Sequence, residues 1–497
     1  MDQSISALAE AVLHGQPLPN LPHQLYIDGA WHDAASGQIL DTFDAGSAQP
    51  YAQFAAAGTA DVNAAVESSA RAFSGVWRKS QPVHRARILA QAARLVRERT
   101  DYLTVLESLD CGKPLKEALE DVQTVAALLD YYAGAADKLH GDTIPLGPDF
   151  LCCNLLEPVG VTAHIIPWNF PLFAMVRGVA PALAAGCTVV VKPAETTPLT
   201  ALVMARILTE AGLPDGVCNV ITGTGSEAGE PLCLHEKVRH ITFTGSVPTG
   251  QRVMQNAARH VASVTLELGG KSPAIVLADC DMDHAVEDML EGIYLNAGQV
   301  CSAGSRLVVE RKVHTQFLEK FAARASTLTV GHGLKNRNLG AINSAQQLRR
   351  ITDAVQAART RGVEVALGGR VITDPETGQG WFFEPTILDA VRASDPAVQK
   401  EIFGPVLAIQ VADSPEEALS LANDSDYGLV AGIYTRDISR ALSFARDLDV
   451  GQVTVNQYFA GGIYAPFGGN KASGFGREKG FEALRNYSRI KNITIRI

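Results

Sequence analysis

Dense runs of lysine and arginine are missing from this 497-residue chain, whose formal charge is −10. A nucleic-acid partner needs a concentrated basic face, so the composition argues against one. Long apolar runs are missing too: the longest near the middle, Val179 to Val191, is interrupted by Pro181, Gly186 and Thr188. It is too short for a membrane span, and no transmembrane segment is predicted. Met1 to Gly15 carries Asp2 and Glu10, with no basic start and no continuous apolar core. It does not read as a signal peptide, and a cytoplasmic location is the expectation. The eight cysteines (Cys111, Cys152, Cys153, Cys187, Cys218, Cys233, Cys280 and Cys301) include no CxxC pair and no cysteine–histidine ligand spacing. Reduced thiols, most of them buried and inert, and no metal site are therefore expected.

What is present is the material of a large folded protein. Hydrophobic residues make up 46% and charged residues 19%, and the length calls for two large domains, with or without a smaller element. Between Asp61 and Lys138 apolar residues recur at helical spacing, as in Ile88, Leu89, Ala92, Leu95 and Val96. After Asn154 the texture changes to alternating strands and helices. Val159 to Ile166, Thr188 to Lys192, Val217 to Ile221, His240 to Phe243 and Ser263 to Leu268 read as strands; Thr200 to Ala211 and Thr249 to His260 read as helices between them. That pattern predicts a parallel α/β sheet with crossover helices. A second alternating region starts at Ala274 and includes Arg306 to Glu310, His314 to Thr327, Leu429 to Tyr434 and Gln452 to Asn456, predicting a second α/β domain. No long linker separates the two, so a cleft between them is the expected ligand site.

The chemistry rests on three segments. Asn296-Ala-Gly-Gln-Val-Cys301-Ser-Ala-Gly sets a cysteine in a glycine-flanked loop between a predicted helix and a predicted strand. A lone cysteine is ordinarily core filler. Glu267 lies 34 positions earlier, at the end of an apolar strand and just before Gly269-Gly270; alone it reads equally well as a capping or surface residue. Pro167-Trp-Asn169-Phe-Pro171 fixes an amide side chain between two prolines, and alone reads equally well as a rigid turn.

Together with Lys192-Pro-Ala-Glu195, Phe243-Thr-Gly-Ser246, Glu401-Ile-Phe403-Gly-Pro405 and Pro466-Phe-Gly-Gly-Asn-Lys-Ala-Ser-Gly-Phe-Gly-Arg477, these segments closely resemble the aldehyde dehydrogenase superfamily, in the family's order from about Tyr26 to the C-terminus. The resemblance implies NAD-dependent oxidation of an aldehyde, with Cys301 as nucleophile, Glu267 as general base, and Asn169 with the Cys301 amide as oxyanion hole. The chemistry independently needs such parts: a thiolate to add to the carbonyl, fixed donors for the alkoxide, and a nearby carboxylate to activate the water that clears the thioester.

For the cofactor, Lys192 ends a strand and the Glu195 carboxylate can accept hydrogen bonds from adenosine ribose hydroxyls while repelling a 2′-phosphate, which favours NAD over NADP. Gly245 and Ser246 open a helix after a strand, offering amides to a pyrophosphate, though the spacing is not GxGxxG. The resemblance places Glu401 and Phe403 at the nicotinamide ribose and ring, and Trp168 near the pyrophosphate. Without it, Glu401 is an acidic loop residue and Phe403 and Trp168 are packing aromatics.

By the same resemblance the fold is a discontinuous Rossmann-like cofactor domain (residues 1–138 and 159–267), a second α/β catalytic domain (268–478), and a small β oligomerisation arm with the C-terminal strand (139–158 and 479–497). It also implies a homodimer or homotetramer. Phe173, Arg177, Tyr294, Tyr458, Phe459 and Tyr464 are candidate substrate-tunnel residues. Arg177 could hold a distal carboxylate, but the second arginine of such an arrangement has no counterpart at Leu295, and packing is an equal reading. Gly178 stands where many members carry a lysine with a part in proton relay. A CoA-acylating relative or a catalytically silent NAD-binding one are the alternatives; Glu267 speaks against the first and the complete set of chemical residues against the second. Gly-Gln-Val-Cys-Ser-Ala is shared with members acting on amino- or betaine-type aldehydes, a weak pointer to substrate.

Overall fold

The computed structural model describes residues 3–497; positions 1 and 2 of the predicted 1–138 segment lie outside the described residues. The architecture is α/β and is built on two large sheets. The first has eight strands in the spatial order Ala30–His32, Leu25–Ile27, Cys218–Val220, Thr188–Lys192, Val161–Ile165, Val238–Gly245, Ser263–Leu268 and Gly474–Phe475. The five from Cys218–Val220 to Ser263–Leu268 run parallel, and the outer strands antiparallel. Thr188–Lys192 is buried along its whole length, as a central parallel strand covered by helices on both faces must be.

The chain lays down Val161–Ile165, Thr188–Lys192 and Cys218–Val220 outward in one direction, then returns to place Val238–Gly245 on the other side of Val161–Ile165. The strand order therefore reverses between those two neighbours. In open α/β sheets the crevice beyond the carboxyl ends of the strands at such a reversal is where ligands bind.

Seven strands form the second sheet, in the order Glu364–Leu367, Thr386–Asp389, Val406–Ala412, Arg306–Glu310, Pro273–Val276, Val430–Tyr434 and Gln452–Val455. All pair in parallel except Glu364–Leu367. The helical stripe Ile88, Leu89, Ala92, Leu95 and Val96 is the buried face of the helix Pro82–Glu98. That face packs with the helices Leu115–Ala135 and Pro171–Ala185 against the first sheet.

A third, antiparallel sheet joins Ser488–Arg496 to Phe150–Pro158 over nine residue pairs, with Thr143–Ile144 on the far edge. Two segments near the predicted boundaries lie elsewhere. Gly474–Phe475, expected within the 268–478 block, is the edge strand beside Ser263–Leu268 and covers what would otherwise be an open edge. Ala483, Leu484 and Tyr487, expected with the C-terminal strand, are buried in the core of the first sheet and its helices.

Gly178 sits in the helix Pro171–Ala185 where that helix crosses the sheet. A Cβ there would lie 2.8 Å from His164 Nδ1 and 3.6 Å from the Tyr487 hydroxyl. His164 cannot give way easily, because its Nε2 is hydrogen-bonded to Thr162 Oγ1 at 2.8 Å and its ring stacks on Tyr487. Overpacking costs about 1–3 kcal/mol, while Gly to Ala in a helix gains up to about 1 kcal/mol, so the clash outweighs the gain. Gly178→Ala is expected to lower the thermal midpoint and the urea midpoint; a variant at least as stable as the parent would refute this packing account.

Candidate active site

A cleft of about 710 Å³ opens at the carboxyl ends of the first sheet's parallel strands, and its far wall comes from loops of the second sheet. Strand ends position most of the lining. Val161–Ile165 leads into Trp168 and Asn169, Thr188–Lys192 ends on Lys192 and leads to Glu195, Val238–Gly245 delivers Gly245 and Ser246, and Ser263–Leu268 delivers Glu267. From loops leading into strands of the second sheet come Cys301, Glu401 and Phe403. All ten predicted catalytic and cofactor positions thus line one space.

Cys301 hangs on an unusual turn. Asn296, Ala297 and Gly298 are all left-handed, with φ of 47°, 52° and 72°. Such backbone is costly for residues other than glycine and persists only when its surroundings hold it. Here they do. Asn296 Nδ2 donates to the Asn169 carbonyl at 2.9 Å, and Asn169 Nδ2 donates to the Gln299 carbonyl at 2.9 Å. The Gln299 side chain donates to the Asn296 and Ala341 carbonyls and accepts from the Asn343 amide. Each of these polar groups is buried, so each bond removed would strand a partner.

The charges are set by burial. Cys301 is only partly exposed, and burial pushes its thiol up to about 11; Arg177 opposes the rise and Glu267 and Glu401 add to it. Glu267 is 2% exposed with neither carboxylate oxygen hydrogen-bonded to protein. Burial raises its carboxyl well above the usual range, the Glu478 charge adds to this, and Arg177, Arg477 and Lys479 oppose it. A carboxyl kept proton-avid beside a partly open thiol has the character of a general base for water.

On the cofactor side, Lys192 Nζ meets Glu195 Oε2 at 3.3 Å, with the lysine buried and the glutamate half exposed. Ser246 caps the approach to the helix Val247–Ala258, and its hydroxyl contacts Thr249 Oγ1 at 2.9 Å. A Cβ at Gly250 would sit 2.6 Å from Leu268, so the glycine lets this helix lie close on the sheet with its amino end at the cleft. Glu401 folds back on the chain, accepting from the Gly270 amide at 3.0 Å, and burial lifts its carboxyl to about 7. Phe403 meets Trp168 edge-on at 5.2 Å, and Gln347 Nε2 pins its carbonyl at 2.9 Å.

Gln347, Arg252 and Arg350 also line the cleft and escaped the sequence reading. They lie on helices, Val247–Ala258 and Ala345–Thr360, where exposed arginines look like ordinary solvated positions. Only the position of Arg252 just beyond the Gly245-Ser246 turn could have hinted at it.

The proposed tunnel residues are not brought together in this cleft. Arg177 is buried, with Nε 2.5 Å from Glu478 Oε2 and Nη2 donating to Thr244 Oγ1 at 3.1 Å. Its charge is already matched, which removes the reading of a free arginine waiting for a distal carboxylate. Tyr294 is core: its hydroxyl donates to the Thr386 carbonyl at 3.4 Å and its ring packs near Phe321. Tyr458 is core as well, filling the space left by Gly292, Gly304 and Gly432, with Phe459 against it. Tyr464 is exposed and meets Tyr131 edge-on, and Phe173 packs with Phe170 beneath Arg177. Long aromatics near a glycine-rich motif satisfy a packing role and a tunnel role with the same pattern, so sequence could not separate them.

A strand-order reversal carrying a cysteine, a buried carboxylate and an amide in a two-domain cleft defines an α/β enzyme of dinucleotide-binding architecture. The aldehyde dehydrogenase family model matches residues 31–493, and the chain belongs to that family. It is 40% identical over 498 residues to hydroxyisobutyraldehyde dehydrogenase of Mycolicibacterium austroafricanum, covering 100% of this chain and 97% of that one. It is 39% identical to betaine aldehyde dehydrogenase of Bacillus subtilis, covering 94% and 96% respectively. A crystal structure of betaine aldehyde dehydrogenase from Staphylococcus aureus in complex with NAD+ superposes with a TM-score of 0.95 at 36% identity, covering 99% of this chain and 97% of that one.

The raised thiol has a direct consequence. Only the thiolate is alkylated by iodoacetamide, and below the thiol's midpoint its fraction rises tenfold per pH unit. Alkylation of Cys301 in the cofactor-free protein is expected to accelerate about hundredfold from pH 7 to pH 9. A rate already level by pH 8 would show the thiol to be far more acidic than its surroundings imply.

Proposed function

We propose that this protein oxidises an aldehyde to a carboxylic acid with NAD as hydride acceptor, through a thioester on Cys301. The observation that carries the reading is the convergence of Cys301, Glu267 and Asn169, from three distant segments, in a cleft also lined by Lys192, Glu195, Gly245, Ser246, Glu401 and Phe403.

The residues present fit NAD. Glu195 offers an acceptor to ribose hydroxyls and a charge unfavourable to a 2′-phosphate, the amino end of Val247–Ala258 faces the same space, and Arg252 stands beside it. When bound, NAD supplies the hydride acceptor. The Cys301 thiolate adds to the carbonyl carbon, placing negative charge on the substrate oxygen. Asn169 has two amide hydrogens; one is held by Gln299, which aims the other and leaves it, with the Cys301 amide, for that oxygen. After oxidation the acyl group remains on sulfur. Glu267, with unpaired oxygens and a raised affinity for protons, takes a proton from the water that attacks the thioester, releasing the acid and the thiol.

Glu267 favours water over CoA as acyl acceptor. For the substrate, Arg177 is matched by Glu478, whereas Lys479 and Arg477 have no carboxylate partner within ion-pair distance among the described residues. Lys479 lies over the Phe467 ring at 4.7 Å, and Phe467 packs against Cys301. The unpaired Lys479 ammonium on this side of the thiol disfavours a cationic aldehyde, despite the similarity to betaine aldehyde dehydrogenases.

The three-stranded sheet of Thr143–Ile144, Phe150–Pro158 and Ser488–Arg496 carries Phe150, Leu151, Leu155, Ile490 and Ile495 exposed, which supports a homodimer or homotetramer. No helix among the described residues is long and apolar enough to cross a membrane. All eight cysteines are unbridged, in keeping with the reducing cytoplasm.

A panel of neutral, carboxy- and quaternary-ammonium aldehydes of similar size, assayed with NAD or NADP and with or without CoA, tests the reading. Oxidation with NAD and no CoA requirement is expected, with kcat/KM for the ammonium substrate lower by about tenfold or more. Cys301→Ala should abolish turnover while NAD binding persists. Glu267→Gln should release one equivalent of NADH in a burst and then stall, because the thioester is no longer cleared. Turnover by the alanine variant would overturn the mechanism.

A further inference from the structure

One buried cluster of charged residues lies outside the cleft and touches none of its contents. In the segment from Glu107 to Asp121, Lys113 is fully buried, ion-paired to Asp121 and 3.4 Å from Glu107 Oε1. Its ammonium also lies over the Phe170 ring at 4.1 Å. Glu107 uses its other oxygen to accept from the Leu172 amide at 3.4 Å, at the amino end of the helix that follows Asn169. Glu117, four residues beyond Lys113 and 7% exposed, accepts from the backbone amide of Asn296 at 2.8 Å. Asn296 is the first residue of the left-handed turn leading to Cys301, and its side chain holds the Asn169 carbonyl.

A buried lysine needs carboxylates, and Glu107 and Asp121 supply them, but that need does not explain why Glu107 and Glu117 each reach onward to a separate catalytic segment. The segment carrying Asn169 is touched through Phe170 and Leu172, and the segment carrying Cys301 through Asn296. From this juxtaposition we infer that Glu117 is a positioning residue: it acts through the Asn296 amide to hold the left-handed turn that aims the Cys301 thiol and amide relative to Asn169.

This rests on the proposed roles of Cys301 and Asn169. Burial lifts the Glu117 carboxyl to about 8, with the Asn296 amide and Lys113 opposing the rise, so at neutral pH it carries a proton for much of the time. The role therefore demands an acceptor of the right reach rather than a charge, and the two conservative variants separate these demands. Glu117→Gln keeps length and an acceptor oxygen; Glu117→Asp keeps the carboxyl but falls one methylene short.

The full-length protein is compared in three measurements: NAD affinity from quenching of intrinsic fluorescence, kcat and KM for a neutral aldehyde, and the iodoacetamide alkylation rate of Cys301 without aldehyde. Glu117→Asp is expected to lower kcat at least tenfold and to change the alkylation rate at least threefold, with NAD affinity within twofold of the parent. Glu117→Gln should stay within threefold of the parent in kcat and in alkylation. The inference is overturned if the aspartate variant keeps parental kcat, if the glutamine variant falls as far as the aspartate one, or if NAD affinity drops in step with kcat, the mark of general unfolding. Alkylation separates this inference from the functional proposal, because it reports the turn's geometry even if the protein oxidises no aldehyde.

Discussion

The hydrogen bond from the Asn169 amide to the Gln299 carbonyl is the tie on which the active site depends. Asn169 belongs to the segment leaving the first sheet, and Gln299 to the turn before the first strand the second sheet receives from the Cys301 loop. Two large sheets can each be stable and still leave a gap between them too loose for catalysis. A group transfer tolerates misplacement of only a fraction of an ångström, so the joint between domains needs specific bonds rather than apolar contact alone. The return bond from Asn296 Nδ2 to the Asn169 carbonyl makes the joint reciprocal. Neither segment can shift without stranding a buried polar group on the other, and that penalty is what maintains three successive left-handed residues.

The electrostatics follow from the same closure. Removing water from the joint raises the proton affinity of Glu267 and of the Cys301 thiol together, while Arg177, the one buried guanidinium nearby, is held by Glu478. Burial thus weighs against placing two uncompensated charges in the joint, and it raises the thiol and the carboxyl in the same direction. The thiolate forms at low occupancy, and a thiolate of high proton affinity is intrinsically the stronger nucleophile. The arrangement protects a nucleophile from adventitious chemistry at the expense of speed in the cofactor-free state.

Strand ends were the legible part of the fold. Thr188–Lys192, Ser263–Leu268 and Arg306–Glu310 are β-branched or apolar runs bounded by turn residues, and pattern alone places them. The placement of Lys192, Gly245 and Glu267 in one crevice then follows from parallel topology, since all three sit at or near carboxyl ends of parallel strands in one sheet. The edge strand Gly474–Phe475 carries no equally clear signal; it exists only because the chain passes beside an open edge. Glu117 and Gln347 were invisible for a different reason. Both lie in amphipathic helices, and their value comes from a backbone amide or carbonyl more than fifty positions away, which no local pattern records.

Arg177 and Gly178 illustrate how neighbouring positions are decided by different surroundings. On one side of the helix Pro171–Ala185, a buried arginine is tolerated because the Glu478 carboxylate matches its charge and Thr244 accepts a hydrogen bond from its Nη2. One residue on, the helix meets His164, whose ring is fixed by Thr162 and Tyr487, and no side chain fits. A lysine at position 178 would have to displace that ring, so the lysine found there in other members is incompatible with this packing. The buried cation near Glu267 is supplied from position 177 instead, where it is already committed to Glu478. Burial pushes the affinity of His164 for a proton down to about 3, so the ring that the helix meets at Gly178 stays neutral at neutral pH.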